Sequence, residues 1–121
     1  MSKILIVDDE KEILELVDIF LRKQGYEVVK FNNGEDALAF MDEDAGIDLV
    51  ILDIRMPGID GGTVLERLRR KEKELPVIFL TGSVGGQPVK VKADAMFMKP
   101  IDLNDLSKKV KELLSKKEKS E

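Results

Sequence analysis

The 121-residue chain has no cysteine and no histidine. The first absence removes disulfides, thiolate metal sites and a cysteine nucleophile. The second removes the usual general base, the commonest transition-metal ligand and any serine–histidine relay. No apolar run approaches the roughly 20 residues that a membrane helix needs, and no basic-then-apolar leader opens the sequence. The expectation is therefore a cytoplasmic protein without membrane contact. A phosphate loop of the form G-x-x-x-x-G-K-[ST] is missing, as are internal repeats and linkers. Chemistry in this chain must run on carboxylates, hydroxyls, lysine, arginine and, with them, a hard oxygen-loving cation.

What is present is a globular mix, 43% hydrophobic and 36% charged, in a chain long enough for one core. The expectation is a single domain over 1–121, with 118–121 a frayed tail. A net charge of −4 argues against nucleic acid as a direct partner. The charge is unevenly spread: residues 1–63 carry fifteen acids against six bases, the remainder nine acids against fourteen bases.

Ile4–Val7 and Leu49–Leu52 are short, wholly apolar runs, the mark of strands buried on both faces of a parallel sheet. Tyr26–Phe31, Val77–Leu80 and Ala95–Met98 read as three further strands. Between them, Ile13, Leu14, Val17, Phe20 and Leu21 form one helical stripe that stops at Gly25. Asn33-Gly34 reads as a turn before a short helix with Ala37, Leu38 and Met41 inward. Val64, Leu65 and Leu68 mark another helix, and Leu103, Leu106, Val110, Leu113 and Leu114 the last. Strands alternating with helices predict a parallel sheet covered on both faces. The run Arg67, Arg69, Arg70, Lys71 and Lys73, interleaved with Glu66, Glu72 and Glu74, reads as a solvated helix face.

Asp8 and Asp9 follow the first strand directly, and Asp53 follows the third. In an open parallel sheet such positions share the carboxyl edge, where ligands bind. Each alone reads as readily as a turn or cap residue. Together, three converging carboxylates raise one another's pKa unless a cation sits among them, and Mg²⁺ suits such a donor set. Thr81 and Lys99 stand at two further strand ends. A hydroxyl and an ammonium beside a metal-bound carboxylate make a phosphoryl site.

These residues resemble the bacterial response-regulator receiver domain, the CheY-like phosphoacceptor. The matching motifs are Val7-Asp8-Asp9, Leu52 through Gly61, Leu80-Thr81 and Lys99-Pro100, within a resemblance running from Lys3 to about Leu114. The resemblance implies a flavodoxin-like five-stranded parallel sheet of order 2-1-3-4-5 with helices on both faces. It implies Asp53 as phosphoacceptor; Asp9, Asp53 and the Arg55 backbone carbonyl as Mg²⁺ ligands; Asp8 acting through water; Thr81 and Lys99 on the phosphoryl oxygens; and a cis Lys99-Pro100 bond. It further implies a sensor histidine kinase as phosphohistidine donor, an unknown downstream protein, and a stand-alone signalling domain rather than an enzyme. Arg55 and Ser83, each two positions past a motif residue, are then expected to tune the lifetime of the acyl phosphate.

The chain departs from the pattern in two places. Lys99 follows Thr81 by 18 positions, a few fewer than usual, and Gly85, Gly86, Pro88, Val89 and Val91 suit a helix interior poorly. The fourth helix of the family is therefore expected to be short or missing, with a loop across 83–94. The switch aromatic falls at Met96, leaving Phe97 either as its replacement or as ordinary core. Three other functions stand as alternatives, the first of them on the same architecture. A flavin or nucleotide binder would need glycine or hydroxyl residues where Asp8, Asp9 and Glu10 stand. A carboxylate-based Mg²⁺ phosphatase would need a proton donor beside its nucleophile. A receiver-like interaction module independent of phosphorylation would have no use for Asp8, Asp9, Asp53, Thr81 and Lys99 together.

Overall fold

In the computed structural model, which describes residues 1–43, 46–82 and 93–119, strands and helices alternate along the chain. β1 spans Lys3–Val7, α1 Lys11–Lys23, β2 Glu27–Phe31, α2 Gly34–Glu43 and β3 Leu49–Asp53. α3 spans Gly61–Lys71, β4 Val77–Thr81, β5 Ala95–Met98 and α4 Leu103–Lys119. The five strands form one parallel sheet in the order β2-β1-β3-β4-β5, as expected. β4 runs one residue further than its apolar stretch, to Thr81, and α4 reaches Lys119, into the stretch read as a frayed tail. Asn33-Gly34 does more than turn the chain. Gly34 opens α2, and Asn33 Oδ1 accepts the Asp36 N–H at 2.8 Å, as a cap residue does.

Side-chain alternation along each strand divides the core in two. Ile4, Ile6, Leu49, Ile51, Ile78 and Leu80 face α1 and α4, meeting Val17, Leu21, Leu106 and Val110. Leu5, Val7, Val50, Leu52, Val77 and Phe79 face α2 and α3, meeting Ala37, Met41, Val64, Leu65 and Leu68. Both faces of β1 and β3 are thus dry, which is why these two strands carry unbroken apolar runs.

Two polar clamps lie outside that apolar pattern. Asp18 sits buried on α1 and is paired with Arg22 one turn on and with Lys30 of β2 at 2.9 Å, while Arg22 also donates to the Val28 carbonyl at 3.0 Å. Arg69 corrects the reading of the basic run as a purely solvated face. It donates to the Lys73 carbonyl at 2.8 Å and to Asp94 Oδ2 at 3.0 Å, and Asp94 Oδ2 also accepts the Val77 N–H at 2.7 Å. The end of α3 is thereby tied to the starts of β4 and β5. Arg67, Arg70 and Lys71 are exposed, with Arg70 on Glu66 and Lys71 on Asp42. The expected short or missing helix falls mostly at 83–92, outside the described residues.

Burial pushes the Asp18 carboxyl up, but its hydrogen bonds and charge contacts with Lys30 and Arg22 outweigh that and hold it below its ordinary range. A carboxylate so held contributes stability above its unfolded pKa and loses it as pH falls through the folded value. Asp18→Ala is expected to cost about 1–3 kcal/mol at pH 7. Urea melts of both proteins should show that deficit shrinking as pH is lowered below the carboxylate range.

Candidate phosphoryl and metal site

Because the sheet is parallel, every strand delivers its last residue to the same edge. β1 and β3 are neighbours, and their following connections leave in opposite directions in the sheet, which opens a crevice at their ends. Asp8 and Asp9 enter it from β1, Asp53 from β3, Thr81 from β4, and Lys99 just after β5. Pairing of Asp53 with Leu80 and of Thr81 with Met98 aligns these ends. The Lys99 N–H donates to the Thr81 carbonyl at 2.7 Å and the Ile54 N–H to the Leu80 carbonyl at 3.0 Å. The Lys99–Pro100 peptide is cis.

Asp8, Asp9 and Asp53 each place a carboxylate oxygen within 4.8 Å of the others. Asp8 and Asp53 are buried and Asp9 is exposed. Lys99 Nζ lies 2.9 Å from Glu10 Oε1, 3.0 Å from Asp8 Oδ2 and 3.5 Å from Asp53 Oδ2. The Arg55 N–H donates to Asp53 Oδ1 at 3.3 Å, and its side chain is exposed. Burial, then the Asp8 charge, push the Asp53 carboxyl up to about 7 against the opposing pull of Lys99. Burial alone would lower Lys99; its contacts with Glu10 and Asp8 and the charge of Asp53 outweigh that and raise it.

One ammonium does not neutralise this many acids. Asp8 Oδ2 is buried and accepts no hydrogen bond among the described residues, since Lys99 stands close but outside hydrogen-bonding geometry. An all-oxygen donor set with excess negative charge and an unsatisfied buried carboxylate oxygen fits Mg²⁺. The same acids would repel a phosphoryl group if no cation stood between them.

Gly61 lets this edge close. A side chain there would place its Cβ 2.3 Å from the Asp53 carbonyl oxygen and 2.7 Å from Ile54 Cα, and the Gly61 N–H donates to the Ile54 carbonyl at 2.7 Å. α3 can therefore begin against the end of β3 only with glycine at this position. Asp60, immediately before it, caps the helix by accepting the Thr63 N–H at 2.9 Å.

A family profile described as the response regulator receiver domain matches residues 4–111. The chain belongs to that family. The receiver domain is 45% identical over 80 residues to the regulatory protein VanRc of Enterococcus gallinarum, covering 66% of this chain and 34% of the relative. It spans 34–53% of the length of the curated relatives compared with it. Among solved structures, a CheY-like receiver from Methanospirillum hungatei JF-1 superposes with a TM-score of 0.93 at 31% identity, covering 100% of this chain and 99% of that one. The response regulator TrrA of Thermotoga maritima, solved in complex with Mg(2+)-BeF, gives 0.84 at 40% identity, covering 93% of this chain and 99% of that one. TrrA has also been solved in complex with the histidine kinase ThkA.

Met96 and Met98 stand 54% and 55% exposed on one face of β5, while Phe97 on the other face packs against the core beneath α1 and α4. Alternate faces keep Phe97 from standing in for an aromatic at 96; it is half-buried against the core. Ser83 lies outside the described residues. Among the described residues, Glu10 is the member of the site that sequence reading missed: it meets Lys99 across 89 positions, and no local pattern signals that pairing. No helix among the described residues is long and apolar enough to cross a membrane.

Asp53 supplies a pH test. A carboxyl with a raised folded pKa holds its proton in the folded state after the unfolded chain has lost its own, so stability falls as pH rises from about 4 to about 7. In metal-free buffer, thermal melts of Asp53→Asn should lack that fall, leaving the variant more stable than the parent at pH 8. Added Mg²⁺ should raise the melting temperature of the parent more than that of the variant.

Proposed function

We propose that this receiver domain accepts a phosphoryl group on Asp53 from the phosphohistidine of a sensor kinase in a Mg²⁺-dependent reaction, in the cytoplasm, and passes the resulting change of shape to a partner protein. The observation that carries this reading is the meeting of the Asp8, Asp9 and Asp53 carboxylates within 4.8 Å, with Lys99 Nζ 3.5 Å from Asp53. The complexes of TrrA with Mg(2+)-BeF and with a histidine kinase support it.

Asp9, Asp53 and the Arg55 carbonyl would hold Mg²⁺, with Asp8 acting through water; the ion supplies positive charge for the phosphoryl oxygens. An Asp53 oxygen attacks phosphorus in line with the departing imidazole nitrogen. The P–O bond forms as the P–N bond breaks, its electron pair leaves on the imidazole, and a solvent proton neutralises that nitrogen. The Lys99 ammonium, nearly enclosed by protein with its side chain 11% exposed, offsets the charge on a phosphoryl oxygen. The Thr81 hydroxyl hydrogen-bonds another and draws the end of β4 inward, which turns a bond into a shape. Asp53 is the group modified, so the domain acts as a phosphoacceptor and turns over no separate substrate.

Incubation with Mg²⁺ and acetyl phosphate, followed by intact mass measurement, is expected to show one phosphoryl adduct. The adduct should vanish in Asp53→Ala and when the ion is chelated; an adduct that persists in Asp53→Ala overturns the assignment. The exposed Arg55 side chain, rooted two residues past Asp53, shields the acyl phosphate from water. Arg55→Ala is expected to shorten the phosphoryl half-life roughly two- to fivefold, and an unchanged decay rate removes that role.

A further inference from the structure

Glu10 is placed unusually for a helix cap. It occupies the N-cap of α1, yet its side chain makes no capping hydrogen bond, and glutamate is not among the residues favoured there. Its backbone N–H is pinned to Asp8 Oδ1 at 2.8 Å, and its carboxylate turns across the crevice to Lys99 Nζ at 2.9 Å. Lys99 has three N–H donors and meets three carboxylates, of which Asp53 is the most distant at 3.5 Å. The ammonium is thus drawn to the Glu10 and Asp8 side, away from the residue proposed to carry the phosphoryl group.

A phosphoryl group on Asp53 would bring new anionic oxygens that compete for the same donors. Of the present partners, Asp8 is fully buried and gains no water on letting go. The Glu10 side chain is 52% exposed and regains water on letting go. We propose that Glu10 is a positioning residue that holds Lys99 off Asp53 in the resting state and yields it to the phosphoryl group, so that it sets how tightly the site retains that group. The second half of this proposal rests on the phosphoacceptor reading of Asp53; the first half does not.

The test uses the full chain labelled with ¹⁵N-lysine, the Lys99 ammonium signal being identified by its loss in Lys99→Arg. In metal-free protein, Glu10→Ala should shift that signal and speed its proton exchange with water. Glu10→Gln, which keeps the reach and loses the charge, should fall between, and Glu15→Ala on the exposed surface of α1 should match the parent. With Mg²⁺ saturating, beryllofluoride titrations should show about two- to fivefold tighter binding to Glu10→Ala, and the Lys99 signals of the two saturated proteins should coincide. An unmoved Lys99 signal in metal-free Glu10→Ala, or beryllofluoride affinity equal to or weaker than the parent's, overturns the proposal. Failure of the parent itself to bind beryllofluoride overturns the phosphoacceptor reading instead, while the metal-free comparison still decides whether Glu10 holds Lys99.

Discussion

Repulsion between Asp8 and Asp53 is the constraint around which the rest of this molecule is arranged. Two carboxylates buried side by side at the end of a sheet are costly, and the chain offsets them with one ammonium brought from the far end of the fold. That offset is incomplete: Asp53 keeps a high proton affinity and Asp8 Oδ2 keeps an unmet lone pair. In the function proposed for this domain, a divalent cation would relieve that deficit and in turn make the crevice hospitable to a phosphoryl group.

Holding like charges together requires a rigid frame. The parallel register supplies it, since pairing of β1 with β3 and of β3 with β4 fixes the ends of three buried strands to within a residue of one another. Two apolar layers, one beneath α1 and α4 and one beneath α2 and α3, hold those strands in place. The Asp18 and Arg69 clamps then fasten the helices to the sheet at points away from the crevice.

Much of this was legible in the residue order. The wholly apolar runs of β1 and β3 announced central strands, the helical stripes gave α1, α3 and α4, and aspartates directly after strands marked the carboxyl edge. The motifs around Asp8, Asp53, Thr81 and Lys99 carried the strand order by resemblance. What stayed hidden were polar contacts between distant segments. Glu10 looks like one more acid in an acidic stretch until β5 brings Lys99 beside it. Arg69 looks like its solvated neighbours Arg67 and Arg70, because helical spacing says nothing of Asp94. Asp18 breaks the apolar stripe of α1, and only the pairing of β1 with β2 brings its partner Lys30 within reach. Periodicity reads which face of an element is dry; it does not read which charge waits on the other side.

The absence of a side chain at Gly61 has a mechanical consequence. With no Cβ to hold them apart, the first turn of α3 and the end of β3 meet backbone to backbone and share the hydrogen bond from Gly61 to Ile54. A shift of the peptide at Asp53 would have no slack to take up before it reached the helix axis, and strand and helix would move as one lever. Its pivot is the very residue whose chemistry would push it.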